Sequence, residues 1–184
     1  MPMNNRRGAI AGVLLVVAIA VGGYWWYSPV VVLHRMQDAA ARGDAQGINR
    51  YVDYAAVRES FRGQFAASLG KRIGQPADNP LSALGNMIGM AVVNQMIDAL
   101  VRPEAISAAM ATGRMKPQRS DSAPAQDEPN KTLEWATERK GVDTMIAHPH
   151  DAGQPVDPKG LGFVFVRHGF ADWKLSEVRL ALDQ

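Results

Sequence analysis

The chain has no cysteine. This excludes disulfides, thiolate metal sites, thiol nucleophiles and lipid attachment through a cysteine, so any hold on a membrane must be made by the peptide itself. It also suits an oxidising compartment. An excess of one charge is missing too. Arg6 and Arg7 stand ahead of a long apolar segment, and without them 18 basic residues face 18 acidic ones. A nucleic-acid surface needs a basic stripe or aromatics interleaved with basic residues, and neither is present, so no nucleic-acid partner is expected. The sequence has no glycine-rich phosphate loop, no dinucleotide fingerprint and no Gly-x-Ser-x-Gly elbow, and its carboxylates are scattered. The expectation is therefore a protein without catalytic residues, cofactor or metal, and not an enzyme.

What is present is an apolar N-terminus. From Gly8 to Tyr27 no residue is charged, and Ile10–Val21 is almost wholly aliphatic. At ~1.5 Å per residue such a stretch spans about 30 Å, the thickness of a hydrocarbon core, where only a helix satisfies every backbone group. Tyr24-Trp25-Trp26-Tyr27 follows at once, and amphipathic rings favour the headgroup layer. Arg6, Arg7, Tyr24, Trp25, Trp26 and Tyr27 are the expected interface anchors. The positive-inside rule leaves the tail cytoplasmic and exports the rest, although Arg35 and Arg42 on the far flank weaken that bias. The expected setting is a single-pass protein of the bacterial inner membrane with a periplasmic domain. A cleaved signal peptide competes with this reading, since Ala18-Ile19-Ala20 has the small-x-small form of a cleavage site. The apolar run is longer than a usual signal core, which favours an anchor. Gly8 and Gly12 have the spacing of a helix-pairing motif, but glycines are common in membrane helices.

Beyond the anchor, helical periodicity dominates. Pro29 is expected to end or kink the first helix and to open the next. Val30, Leu33, Met36, Gln37 and Ala40 form a stripe that stops at Gly43, and Asp44 and Asp53 are placed as N-caps for two further helices. Arg42-Gly43-Asp44 is thus a helix stop followed by a cap, not an adhesion tripeptide. Val57, Phe61, Phe65 and Leu69 recur every four residues. Gly74–Pro80 reads as a loop. Leu81–Val101 is highly apolar, yet Asn86, Asn94, Gln95 and Asp98 argue for a buried helix over a second span. Asp98 is expected at a helix edge, paired with Arg102 at i+4. Pro103 begins a short helix that stops near Gly113.

Residues 114–130 carry three prolines and mixed charges without periodicity, the signature of a flexible linker. The remaining segment, 131–184, reads as strands: Thr132–Glu138, Val142–His148, Gly162–His168 and Trp173–Leu180, with a bulge near Ser176-Glu177 that puts Trp173, Leu175, Val178 and Leu180 on one face. His148-Pro149-His150-Asp151 has metal-like residue types, but its spacing is better explained by an exposed turn.

The expected fold is α+β. A cytoplasmic tail (1–7) and a transmembrane helix (8–28) precede a helical part (29–113) of four to five helices. These cover a sheet of three to four antiparallel strands (131–184), which belongs to the same domain because so short a segment cannot bury a core alone. The order of the anchor, Ser28-Pro29, Arg42-Gly43-Asp44-Ala45, Tyr51-Val52-Asp53, Val57-Arg58-Glu59-Ser60, Asp98–Glu104, Trp173-Lys174-Leu175 and Val178-Arg179-Leu180 resembles a bacterial family catalogued as domain of unknown function 2939. The resemblance implies an anchored envelope protein and no activity. The terminal tryptophan hairpin is also similar to that of cone-shaped folds related to nuclear transport factor two, which licenses no function. Two roles fit: a non-catalytic module that binds another envelope protein, or a binder of an apolar small molecule or lipid in a cavity lined by Phe61, Phe65, Met87, Met90 and Met96.

Overall fold

A computed structural model describes residues 4–72, 91–115 and 132–180. Met87, Met90, the loop at 74–80 and most of the 114–130 segment lie outside these residues, and so do the side chains of Arg6 and Arg7.

Helix α1 is a single element, Asn4–Ala41, with Pro29 inside it. The helix boundary expected at Pro29 is absent. Proline lacks an N–H and crowds the carbonyl four residues back, which here is Trp25. Ser28 resolves the conflict by donating its Oγ–H to the Trp25 carbonyl at 2.8 Å. The bond that Pro29 cannot supply is thereby replaced locally, and the helix continues.

The far end of α1 closes as the sequence predicts. Gly43 takes a left-handed φ of +67°. Its N–H donates to the Ala40 carbonyl at 3.0 Å and that of Asp44 to Ala39 at 2.8 Å, the paired bonds of a Schellman stop. Asp44 Oδ1 then accepts from the Gly47 N–H at 2.8 Å and caps α2 (Ala45–Asn49). Asp53 does the same for α3 (Tyr54–Arg72), taking the Ala56 N–H at 3.0 Å. The described part of α4 covers 91–100 and leads through Arg102 into α5 (Pro103–Thr112), which stops at Gly113 with φ +64°.

Four strands follow: β1 (Leu133–Arg139), β2 (Thr144–Asp151), β3 (Gly162–Arg167) and β4 (Trp173–Arg179). They form one antiparallel meander in the order β1-β2-β3-β4. The register shifts between Val164, opposite Glu177, and Phe165, opposite Leu175, so Ser176 is the extra residue of the expected bulge. The bulge restores one buried face, and Trp173, Leu175 and Val178 are all fully buried. Residues 51–53 run beside β4, with Asp53 N–H donating to the Leu175 carbonyl and Leu175 N–H to Tyr51. Farther along, the Gln64 amide of α3 donates to the Val178 carbonyl at 2.7 Å and accepts from the Leu180 N–H at 2.9 Å. The free edge of β4 is therefore partly occupied by its own chain.

The core lies between the helices and this sheet face. Leu33 and Met36 of α1, Ile48 of α2, Val57 and Phe61 of α3, Ile97 of α4 and Ile106 and Met110 of α5 pack with Met145, Phe163, Phe165 and Leu175. Two further sequence expectations need correction. His148-Pro149-His150-Asp151 is strand, not turn: these residues pair with β1, Trp135 standing opposite Pro149. Proline is tolerated there because β2 has no β3 partner beyond Ala147. Asp98 pairs with Arg58 of α3, Nε to Oδ1 3.4 Å, and not with Arg102, which is the N-cap of α5. Both partners are well exposed, so the pair contributes at most ~1 kcal/mol.

Candidate functional site

α1 is one helix in two environments. From Ile10 to Val21 its large apolar side chains are 46–66 % exposed, whereas Leu33 and Met36, roughly three to four turns beyond Val21, are at most 1 % exposed. The change falls at Ser28, which is itself buried. Among the described residues this is the one helix long and apolar enough to cross a membrane by length and composition, and none of its most apolar window is buried.

A cluster of arginine and tryptophan surrounds the point of change. Antiparallel pairing brings the end of β1, the start of β2, the end of β3 and the start of β4 to the same end of the sheet. Alternation along the strands places Arg139, Arg167 and Trp173 on the helix-facing side there. Trp173 is fully buried and donates its Nε1–H to Ser28 Oγ at 2.8 Å. The hydroxyl passes the relay on to the Trp25 carbonyl. The last strand of the sheet thus completes the repair of the helix around Pro29.

The two guanidinium groups flank that relay. Arg167 lies 3.9 Å from the Trp25 ring centroid and 4.5 Å from that of Trp173. Its Nε is 3.1 Å from Asp143 Oδ1, an ion pair by distance though poorly aligned for a hydrogen bond, and its side chain is only 6 % exposed. Its fork holds two carbonyls: NH1 donates to Phe170 at 2.7 Å and NH2 to Val142 at 2.9 Å. Arg139 lies 4.2 Å from the Trp26 ring centroid and 5.7 Å from that of Trp173, and it donates to the Trp26 carbonyl. Burial first, and then the like charge of Arg167, lower the Arg139 pKa from its ordinary value. Arg139 NH1 has no hydrogen-bond partner among the described residues, and the indole faces are what it meets instead. Planar, weakly hydrated guanidinium suits such a stack better than an ammonium group.

The residues singled out from sequence are distributed as follows. Tyr24, Trp26 and Tyr27 are 46–65 % exposed around α1, while Trp25 is half-buried under Arg167. Phe61 is fully buried in the core with its ring 6.5 Å from that of the half-buried Phe65, and Met96 is 37 % exposed. A polar cleft of about 160 Å³ lies elsewhere, among Arg35, Asp38, Arg42, Asp44, Arg50 and Tyr51. His148 is 5 % exposed, and neither ring nitrogen has a partner among the described residues. Among those residues no group of three His, Asp or Glu side chains is placed to hold a metal ion. Arg139 and Arg167 escaped the sequence reading as members of a cluster, and Ser28 entered it only through the family resemblance. The one available signal was a serine immediately before a proline in an apolar helix, a hydroxyl poised to replace a missing N–H.

No curated protein and no solved structure matches the chain. A family model matches residues 17–109, from the apolar half of α1 into α5, which is the helical layer without the sheet. The chain belongs to the family described as Protein of unknown function (DUF2939).

Proposed function

We propose that this protein is a single-pass envelope protein in which α1 crosses the inner membrane, with the N-terminus in the cytoplasm and the domain in the periplasm. In this reading the domain is a non-catalytic module that binds another envelope protein. The observation that carries it is the continuity of α1, exposed and apolar at one end and central to the core at the other. An exposed apolar surface of this extent is a poor fit to water and a good fit to lipid. The same continuity favours an anchor over a cleaved signal, because cutting after Ala20 would sever a helix that runs unbroken into the domain. The interaction role is supported by the balanced charge and by a sequence without a catalytic motif.

Membrane fractionation of the full-length chain, together with a C-terminal reporter active only outside the cytoplasm, tests the placement. Uncleaved protein in the membrane fraction with an active reporter is expected, and uncleaved protein in the soluble fraction would refute it. Crosslinking in intact cells followed by purification in mild detergent tests the role, and repeated recovery of the chain alone would count against it.

A further inference from the structure

Two hairpin turns stand at the end of the sheet where α1 leaves the domain, 140–143 between β1 and β2 and 168–172 between β3 and β4. Each carries a large apolar side chain turned to the outside: Val142 is 52 % and Phe170 is 61 % exposed. The turns are not loose. The Lys140 N–H donates to Thr144 at 2.9 Å and the His168 N–H to Asp172 at 2.8 Å, which closes both. One guanidinium then ties them together, because the two carbonyls that Arg167 holds are those of Val142 and Phe170. The same guanidinium lies on the Trp25 ring of α1. Two apolar tips are therefore fixed to each other and to the helix at the aromatic belt expected to mark the lipid boundary. Large apolar side chains such as Val142 and Phe170, set in closed turns beside an apolar span, match the headgroup–acyl boundary, where an apolar body can be buried within a few ångströms of water.

We propose that the Val142 and Phe170 tips enter the interfacial layer of the same leaflet from which α1 emerges, so that the domain is seated on the membrane at three points. This rests on the reading of α1 as a membrane span. The absence of native cysteine allows one label per variant. Full-length Val142→Cys, Phe170→Cys, Val156→Cys and Ala11→Cys proteins would each carry an environment-sensitive fluorophore. They would be reconstituted in vesicles of phosphatidylcholine and phosphatidylglycerol, with and without nitroxide-bearing lipid. Val156, in the turn at the opposite end of the sheet, reports water, and Ala11 reports the span itself. Blue-shifted emission that is lost on adding nitroxide lipid is expected at 142, 170 and 11 but not at 156. Arg167→Lys, placed in the two tip variants and in Ala11→Cys, is expected to reduce quenching at both tips together while Ala11 stays quenched, since lysine keeps the charge but not the fork. Quenching at Ala11 without quenching at the tips would overturn the proposal and leave the span intact. A blue shift at the tips without lipid quenching would mean that a protein surface covers them, which also overturns it. No quenching at Ala11 would overturn both.

Discussion

The two halves of α1 are one continuous helix and differ in both pattern and situation. Ile10–Val21 presents aliphatic side chains in every direction, whereas Val30–Ala40 presents them on one stripe, with Arg35 and Asp38 on the exposed side. The difference is one of solvent. A helix that is apolar all round needs an apolar medium on every side, and a striped one needs only a core. One backbone serves both because the Ser28–Trp173 relay carries it across Pro29. On the proposed placement of α1, the span is therefore not a tether with a domain hanging from it, because the first core helix of the domain and the apolar N-terminal helix are one continuous element.

The sharpest way to break this comparison is to make one kind of truncation in each half. Leu33→Ala, fully inside the core, is expected to cost ~2–5 kcal/mol of domain stability, while Leu15→Ala should leave domain stability unchanged. Thermal or denaturant unfolding of the full-length protein in one detergent measures both, and equal effects would deny the division. Next in size is a charge in the apolar half. Val16→Arg is expected to raise the cost of membrane insertion by ~2.5–3.5 kcal/mol, seen as loss from the membrane fraction, with the domain still folded.

The junction comes third. Ser28→Ala leaves the Trp173 Nε1–H and the Trp25 carbonyl without their partner, which should cost ~1–3 kcal/mol. Trp173→Phe should cost a similar amount, and the double variant should be less than additive because both act on one relay. Full additivity in the unfolding cycle would remove the relay from the account. The smallest effect is alkaline. Burial, and secondarily the Glu104 carboxylate, push the Tyr54 phenol up to about 12, against a smaller pull from Arg58. The folded state holds this proton more tightly than the unfolded chain. The contribution of Tyr54 to stability is therefore constant below pH 10 and declines as pH rises from 10 to about 12. Tyr54 is only half-buried, so the decline should be ~1 kcal/mol or less, and Tyr54→Phe should abolish it. Ultraviolet titration of the phenolate alongside the unfolding curves checks the sign.

Much of the helical layer and the sheet was legible because its determinants are local. The Gly43 stop, the Asp44 and Asp53 caps and the α5 start at Pro103 each depend on residues within one turn of their partner. The Ser176 bulge was visible because the apolar alternation of β4 breaks there. What could not be read depends on partners far along the chain. Trp173 reaches Ser28 across 145 positions, and Arg139 reaches Trp26 across 113, so neither arginine carries a local mark. Pro29 was expected to end or kink the helix, and the helix does not end there, since the serine before it has force only once its hydroxyl is placed between Trp25 and Trp173. The Asp98 pairing failed because i+4 spacing was applied across the end of α4, where Arg102 already belongs to α5.

The central claim is that one helix passes unbroken from lipid into the protein core, and a nitroxide scan along α1 in the reconstituted full-length chain tests it most directly. From Ala9 to Tyr24 the account predicts accessibility to lipid-soluble oxygen and protection from a water-soluble paramagnet. Beyond Ser28 both should fall and rise together with a helical period through to Ala41. Exposure of the first segment to the aqueous reagent, or loss of the helical period at Pro29, would contradict it.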